Sequence, residues 1–245
     1  MKHKCIRTLY LGAALTALLA TPAAAQQEGD FSFSLDATFV NRYLWRGFKV
    51  NDSPALQPNL SFGYKGLSVS SWSSFQQNRV DQGVDWGQNW IEHDLTVDYS
   101  HGFDNGLGVS VGYIWYAFPG TPRSDPAADS HEFYAGVSYD TVLSPSFTFY
   151  RDVDQGDGNY FYFSVGHSQD LGKGLALNLG TGAGLNNKQW IDITTVSNWD
   201  INVSVNIPWG KVVFSPFFTQ MIGNESIFGK NNAWGCNISV LSLTF

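Results

Sequence analysis

Apolar and polar residues alternate over most of the chain from residue 31 onward. Between residues 31 and 39, Phe, Leu and Ala alternate with Ser, Asp and Thr; between 200 and 207, Ile and Val alternate with Asp, Asn and Ser. Side chains of a β-strand point in turn to its two faces, so a period of two residues predicts strands. Twelve segments show this pattern or a rougher form of it: 31–39, 55–64, 67–76, 90–100, 107–115, 133–139, 144–151, 161–165, 175–180, 200–207, 211–221 and 233–245.

The links between these predicted strands alternate between short and long. The short links lie at 65–66, 100–106, 140–143, 168–174 and 208–211. The longer, polar links lie at 45–54, 77–89, 118–130, 152–159, 183–197 and 222–232. This order is typical of an all-β fold, an up-and-down antiparallel transmembrane β-barrel of about 12 strands with tight periplasmic turns and longer outer loops. A soluble β-sandwich is not expected to sort its links in this way, or to point so many Phe and Leu side chains outward.

The first 25 residues have the three parts of a secretory signal peptide. Three basic residues precede an apolar run over 9–20, and Ala23 and Ala25 form a small-x-small cleavage site. The apolar run is too short to span a bilayer as a retained helix. We therefore predict a signal peptide over 1–25 and one outer-membrane barrel over 26–245.

The last predicted strand ends in a pattern that suits assembly in an outer membrane. Leu241, Leu243 and Phe245 alternate with polar residues, and Phe245 is a terminal aromatic residue. The assembly machinery of the Gram-negative outer membrane pairs with such strands, so we interpret these three residues as an assembly signal. Within lipid, only helices and closed barrels satisfy every backbone polar group. The predicted partners are therefore the lipid bilayer and the barrel assembly machinery, with both chain termini on the periplasmic side.

Composition and charge support the same class of protein. Aromatic residues make up 16% and charged residues 14% of the chain, an unusual balance for a soluble domain. The predicted signal peptide holds three of the 14 basic residues and none of the 21 acidic ones, which leaves 11 against 21 and a net charge of −10. An acidic balance of charge argues against nucleic acid as a partner and against a polybasic membrane-surface role. No run of 18 apolar residues follows the signal peptide, which excludes helical membrane spans.

The first third of the chain carries a family resemblance. Residues 42–47, Arg-Tyr-Leu-Trp-Arg-Gly, are followed by Asn-Asp-Ser-Pro-Ala-Leu-Gln over 51–57. This stretch resembles the opening of the TorF-like porin family, also called Gcw_chp, whose pattern is an aromatic-rich Tyr-x-Phe-Arg-Gly, a short polar loop and Pro-Ala-Leu-Gln. Here Trp45 stands in the Phe position and Lys49 follows Phe48. The resemblance implies a porin-like barrel and brings no catalytic residue and no established substrate.

The strand phase also predicts which charged residues line the lumen. If the apolar phase faces lipid, Asp36, Arg42, Leu44 and Arg46 face inward on the first strand. The full set of charged candidates for the lumen and its selectivity is Asp36, Arg42, Arg46, Glu92, Asp94, Asp98, Glu132, Asp152 and Asp200. Buried charges are costly unless they are paired, so we expect both arginines to neighbour carboxylates. Two interpretations remain open, a salt-bridge network that fills the barrel and a charge-lined constriction.

Three tyrosines share the inward phase. Tyr150, Tyr160 and Tyr162 could offer stacking and hydroxyl contacts to a sugar-like solute inside the barrel. They could instead belong to the aromatic girdle at the membrane interface, where ring and hydroxyl prefer different media. We favour the girdle. Tryptophans near strand ends fit the same belt: Trp45, Trp86, Trp90, Trp115, Trp190, Trp199 and Trp234.

Patterns for metals and catalysis are weak. Asp152-x-Asp154-x-Gly156 resembles the start of a calcium loop, but the twelfth position is Phe163 where a Glu is needed. The histidines lack zinc spacing, and no Gly-x-Ser-x-Gly elbow accompanies them. We therefore predict no enzyme activity, no metal and no cofactor.

Two function classes follow from these patterns. The first is a porin-like channel for passive diffusion of small hydrophilic solutes, which prefers cations because its predicted lining is acidic. The second is a closed structural or loop-binding outer-membrane barrel without transport activity.

Overall fold

The computed structural model describes residues 31–76, 90–119, 129–223 and 230–244. Twelve long strands form one closed barrel. They are β1 (Phe31–Val40), β4 (Ala55–Tyr64), β5 (Leu67–Gln76), β6 (Trp90–Gly102), β7 (Leu107–Ala117), β8 (Ser130–Tyr139), β9 (Ser146–Asp152), β10 (Asn159–Gly172), β11 (Leu175–Asn187), β12 (Thr194–Trp209), β13 (Val212–Gly223) and β14 (Lys230–Thr244). Two short strands, β2 (Tyr43–Trp45) and β3 (Phe48–Asn51), form a separate hairpin.

The barrel is up-and-down and antiparallel throughout. From β4 to β14 each strand pairs with the next along the chain, and β1 closes the ring between β14 and β4. Ser32 lies opposite Thr244 in the β1–β14 pair, so the first strand starts where the last one ends. Closure leaves no sheet edge, and every strand finds hydrogen-bond partners on both sides. The prediction of a twelve-stranded antiparallel barrel is confirmed.

The alternation along each strand sorts apolar residues outward and polar residues inward. On β4, Leu56 is 50% exposed and Phe62 45% exposed, whereas Gln57 and Asn59 are buried. β9 repeats the arrangement, with Phe147 exposed and Thr148 buried. This is the reverse of a water-soluble protein, and it means that the outer surface is suited to lipid while the interior is polar. In the described part of the chain, no helix is long and apolar enough to cross a membrane.

The links sort by barrel end as predicted. At the end that holds the start of β1 and the end of β14, the strands join through turns such as 65–66, 173–174 and 210–211. The link predicted at 183–197 is shorter than expected, because β11 runs to Asn187 and β12 begins at Thr194. The polar residues there pair with each other, Asn186 with Thr195, so the local polarity indicated a loop where the ladder in fact continues.

The prediction that Arg42, Leu44 and Arg46 lie on the first barrel strand is wrong. β1 ends at Val40, and the chain then turns into the β2–β3 hairpin, which pairs with no barrel strand. Leu44 lies in β2, Arg46 in the hairpin turn and Arg42 just before the hairpin. The aromatic-rich motif therefore builds an internal loop and does not extend the barrel wall.

Two predictions concern residues outside the described ranges. The signal peptide over 1–25 and the terminal Phe245 both fall there. The backbone of Leu241 and Leu243 belongs to β14. The assembly role of these three residues stays a prediction.

Candidate functional site

A tight turn forms the tip of the β2–β3 hairpin. Trp45 pairs with Phe48, so Arg46 and Gly47 alone connect the two strands. Both have positive φ, 47° for Arg46 and 98° for Gly47. Two-residue hairpin loops of this kind favour Asn-Gly, since a branched or long L-residue is strained at positive φ. An arginine at this position is therefore held by something other than its own turn preference.

The base of the hairpin packs against one side of the barrel. Leu44 is 1% exposed and belongs to a buried apolar cluster with Val40, Ala55, Met221 and Ala233. These residues come from β1, β4, β13 and β14. The cluster places the root of the hairpin inside the barrel wall instead of in solvent.

The rest of the hairpin reaches across the interior. The Tyr43 ring lies 5.7 Å from the Trp72 ring on β5, and the Trp45 ring lies 6.0 Å from the Tyr116 ring on β7. Contacts on β5, β7, β13 and β14 surround the hairpin. The loop after β1 thus folds inward and occupies the lumen at the end of the long links.

Arg46 makes a buried, bidentate ion pair with Glu132 on β8. Its two terminal nitrogens donate to the two carboxylate oxygens at 2.6 and 2.8 Å. The Arg46 side chain is 4% exposed and that of Glu132 is fully buried. Gln189 accepts from Arg46 at 2.7 Å and donates to Glu132 at 2.5 Å, and Tyr116 donates to Glu132 at 3.0 Å. Buried ion pairs need this kind of additional hydrogen bonding to offset desolvation.

Aromatic rings cover the faces of the same guanidinium. The Arg46 Cζ atom lies 4.0 Å from the ring centre of Tyr150, 4.6 Å from that of Tyr160 and 4.7 Å from that of Trp45. All three are within the range of cation–π attraction. Burial alone would lower the pKa of the Arg46 guanidinium, but the facing Glu132 carboxylate raises it above its ordinary value. The group therefore stays charged inside the barrel.

Gln189 is positioned by its own link between β11 and β12. The Asn186 side chain accepts from the Gln189 backbone N–H at 2.9 Å and donates to its carbonyl at 2.9 Å. Sequence patterns missed Gln189, because it lies in a link where no periodicity assigns a direction. Tyr116 was missed because its strand was predicted to end at Trp115; extending the phase by one residue would have placed it inward.

The preferred interpretation of the tyrosines as an interfacial girdle is wrong. Tyr150, Tyr160 and Tyr162 are each at most 3% exposed and form one buried cluster inside the barrel. A Cβ atom added at Gly182 or Gly184 would collide with the Tyr162 or Tyr160 hydroxyl. The glycines of β11 thus leave room for the tyrosine rings to lie flat along the inner wall. The inward phase of the tyrosines, taken together with glycines on the next strand, could have indicated this position from the sequence. Trp45 also lies inside the barrel, whereas Trp199 and Trp234 are exposed on its outside.

Two predicted carboxylates lie close to the Arg46–Glu132 pair on β6. Glu92 is buried and interacts with the Tyr43 hydroxyl of the hairpin. Asp94 lies within electrostatic range of Glu92, Glu132 and Arg46, and its Oδ1 atom is buried without a hydrogen-bond partner in the described structure. The structure therefore gathers three acidic side chains and one basic side chain at the hairpin.

The other predicted residues lie elsewhere. Asp36 and Asp200 are buried on β1 and β12, Asp98 on β6 accepts from the Tyr134 hydroxyl at 2.6 Å, and Asp152 is fully buried at the end of β9. Arg42 does not join the buried residues, since it pairs with the exposed Asp52 at 2.8 Å.

Asp152 has a local structural role that explains the calcium-like motif. It accepts from the Ser130 hydroxyl at 2.7 Å and from the backbone N–H groups of Asp154 and Gly156, each at 3.0 Å. Its oxygens therefore shape the β9–β10 turn. No group of three or more His, Cys, Asp or Glu side chains that could hold a metal ion occurs among the described residues.

Comparison with protein families adds one decisive finding. Residues 24–237 match the family described as "Bacterial protein of unknown function (Gcw_chp)". The chain belongs to this family. A comparison with curated proteins finds no match.

Solved structures show the same fold at low sequence identity. An outer membrane channel of Pseudomonas putida F1 is similar with a TM-score of 0.55 and 9% identity, over 88% of this chain and 97% of that one. The NanC porin has a TM-score of 0.52 and 11% identity, over 84% of this chain and 98% of its own. The KdgM porin, solved in complex with disordered oligogalacturonate, has a TM-score of 0.51 and 10% identity, over 85% and 98%. The fold is that of outer-membrane porins and channels, and with its apolar outer face and polar interior the chain is an outer-membrane barrel.

Proposed function

We propose that this barrel is a channel through which small hydrophilic solutes cross the outer membrane by passive diffusion, with a preference for cations. The observation that carries the proposal is the acidic interior. Among the described residues, Arg46 is the one basic group that lies with the inward carboxylates. The seven carboxylates that point inward from the wall are Asp36, Glu92, Asp94, Asp98, Glu132, Asp152 and Asp200. A lining of one sign attracts counter-ions and repels ions of its own sign.

The hairpin sets the narrowest part of such a channel. It crosses the lumen from the Leu44 cluster to Glu132, and loops folded into barrels are a known way to constrict or plug them. Because Glu132 neutralises Arg46, the other acidic residues of the wall leave the lining with a net negative charge. Screening damps charges that lie more than about 8 Å from an ion at physiological salt, so selectivity should be modest and should fade as salt rises.

Reversal potentials in a salt gradient across a planar bilayer test the proposal. The wild type should be cation-selective, and Asp94→Asn plus Asp98→Asn should reduce that selectivity. A matched control is Asp104→Asn plus Asp140→Asn, which removes the same charge from exposed positions in the short turns. An anion-selective wild type, or equal effects of the two double variants, would contradict the acidic-lining argument.

A closed barrel without transport is the second candidate. The inward hairpin favours it, since Arg46 is held by a bidentate ion pair and three aromatic rings. The absence of conductance from both the wild type and Arg46→Asn, each shown to be folded, would favour the closed barrel and remove the channel proposal. A diffusion channel needs no catalytic group, and we propose none.

A further inference from the structure

We propose that the pocket around Glu132 is a binding site for solutes that carry a guanidinium or alkylammonium group, and that Arg46 occupies it as a tethered internal ligand. The cation pocket is formed by Tyr116, Glu132, Tyr150, Tyr160 and Gln189. The inference rests on the proposed function in one respect, since a solute reaches the pocket only if the lumen admits it. It then names the class of solute that the channel recognises.

The chemistry of the cation pocket is that of cation recognition. Glu132 offers both oxygens to two nitrogens, and Gln189 offers its carbonyl oxygen to one of them. The rings of Tyr150 and Tyr160 cover the positive group at 4.0 and 4.6 Å. A carboxylate fork with aromatic faces suits a planar guanidinium best and accepts an ammonium less well.

The barrel wall builds this pocket without help from the hairpin. Tyr116, Glu132, Tyr150 and Tyr160 come from four neighbouring strands, β7 to β10. Gln189 is held by Asn186 through two hydrogen bonds. When Arg46 leaves, the pocket keeps its shape and Glu132 becomes a buried carboxylate without a counter-charge, held only by Gln189 and Tyr116. Such a group is unfavourable until another cation takes the vacated place.

Arg46 is held in the cation pocket by a strained tether. It occupies a two-residue turn at a φ of 47°, where an asparagine would fit with less strain. A tethered group competes with a free solute at an effective concentration that the tether sets. Removal of the tethered guanidinium should therefore raise the apparent affinity of the cation pocket for a free cation.

The alternative is that Arg46 is a permanent clamp and that the cation pocket accepts nothing else. The two ideas differ in what happens when the guanidinium is removed while the turn is kept. Arg46→Asn does this, since it creates the Asn-Gly pair that type I′ turns favour. If Arg46 is only a clamp, the pocket in this variant stays empty. If the pocket is a solute site, the variant makes it accessible to a free cation.

Isothermal titration of purified, detergent-solubilised barrel with agmatine tests the inference. Agmatine should bind Arg46→Asn at least tenfold more tightly than the wild type, because the tethered competitor is gone. Arg46→Asn combined with Glu132→Gln should lose at least tenfold of that affinity, and the uncharged analogue butylurea should not bind. The matched control is Arg151→Asn, which removes an arginine from an exposed pair with Asp157 and should titrate like the wild type.

The outcomes separate this inference from the channel proposal. Absence of agmatine binding to folded Arg46→Asn, or equal binding with and without Glu132, overturns the site whatever the conductance. Binding without conductance in any variant supports the site and removes the channel. If Arg46→Asn fails to fold, hydrogen exchange of residues 43–51 in the wild type decides: acceleration by agmatine supports displacement of the hairpin, and unchanged exchange overturns it.

Discussion

The replacement of Glu132 by alanine should release the inward hairpin without opening the barrel. Glu132 accepts four hydrogen bonds, two from Arg46, one from Gln189 and one from Tyr116. The Glu132→Ala change removes all of these acceptors and leaves a guanidinium that is 4% exposed without its ion-pair partner. The barrel ladder stays intact, because β8 keeps its backbone pairing with β7 and β9.

The magnitude follows from the burial of the pair. Breaking a buried ion pair by removing one partner costs about 3–5 kcal/mol. The remaining cation–π contacts are worth about 0.5–2 kcal/mol each and are already present in the wild type, so they do not compensate. At about 1.4 kcal/mol for each factor of ten, the docked hairpin should lose roughly two to four powers of ten in its equilibrium with the released state.

Hydrogen exchange followed by mass spectrometry measures this loss directly. Amides of residues 43–51 should exchange roughly 100- to 10,000-fold faster in Glu132→Ala, since local opening sets the rate. Arg151→Ala is the control, because it breaks the exposed pair with Asp157 and should cost about 1 kcal/mol or less. In a double-mutant cycle, Arg46→Asn should relieve most of the penalty. Unchanged exchange over 43–51 would refute the buried-pair argument, and equal acceleration in the barrel strands would show that the hairpin does not open on its own.

Three further predictions concern the inner wall, the Lys49–Asp52 contact and the barrel as a whole. Gly184→Ala should destabilise the barrel by about 1–3 kcal/mol, because the added Cβ collides with the Tyr160 hydroxyl; an unaltered thermal unfolding midpoint would contradict this. The Lys49 hydrogen bond lowers the pKa of the exposed Asp52 carboxyl below 3.8, so this contact stabilises the loop above that pH and is lost as pH falls through the lowered pKa. Protection factors over 49–54, which correct each exchange rate for its intrinsic pH dependence, should therefore stay constant down to about pH 4 and fall only in stronger acid, and a fall at neutral pH would count against the contact. Unboiled protein should migrate differently from boiled protein in gels, as closed barrels do, and equal mobility together with recovery in a soluble fraction would argue against an outer-membrane barrel.

The strand pattern could be predicted because it is local. The place of Phe62 or Gln57 in a two-residue period indicates which face of the strand its side chain lies on. Because lipid lies outside the barrel and water inside, the apolar face turns outward and the polar face inward. The same reasoning placed Asp36, Glu132 and Asp200 inside. It failed at the link over 183–197, where the polar pair of Asn186 and Thr195 continues the ladder between β11 and β12.

What the period of a strand cannot specify is which inward residues meet. Arg46 lies 86 residues from Glu132 and 143 residues from Gln189, and nothing near Arg46 in the chain indicates either partner. The sequence by itself determined the barrel, its strand number and its polar interior, because each depends on neighbouring residues and on the two media. Only the tertiary structure decided that the loop after β1 folds inward. The guanidinium leaves water only if the closed wall offers it a carboxylate and aromatic faces whose interaction exceeds the lost hydration free energy.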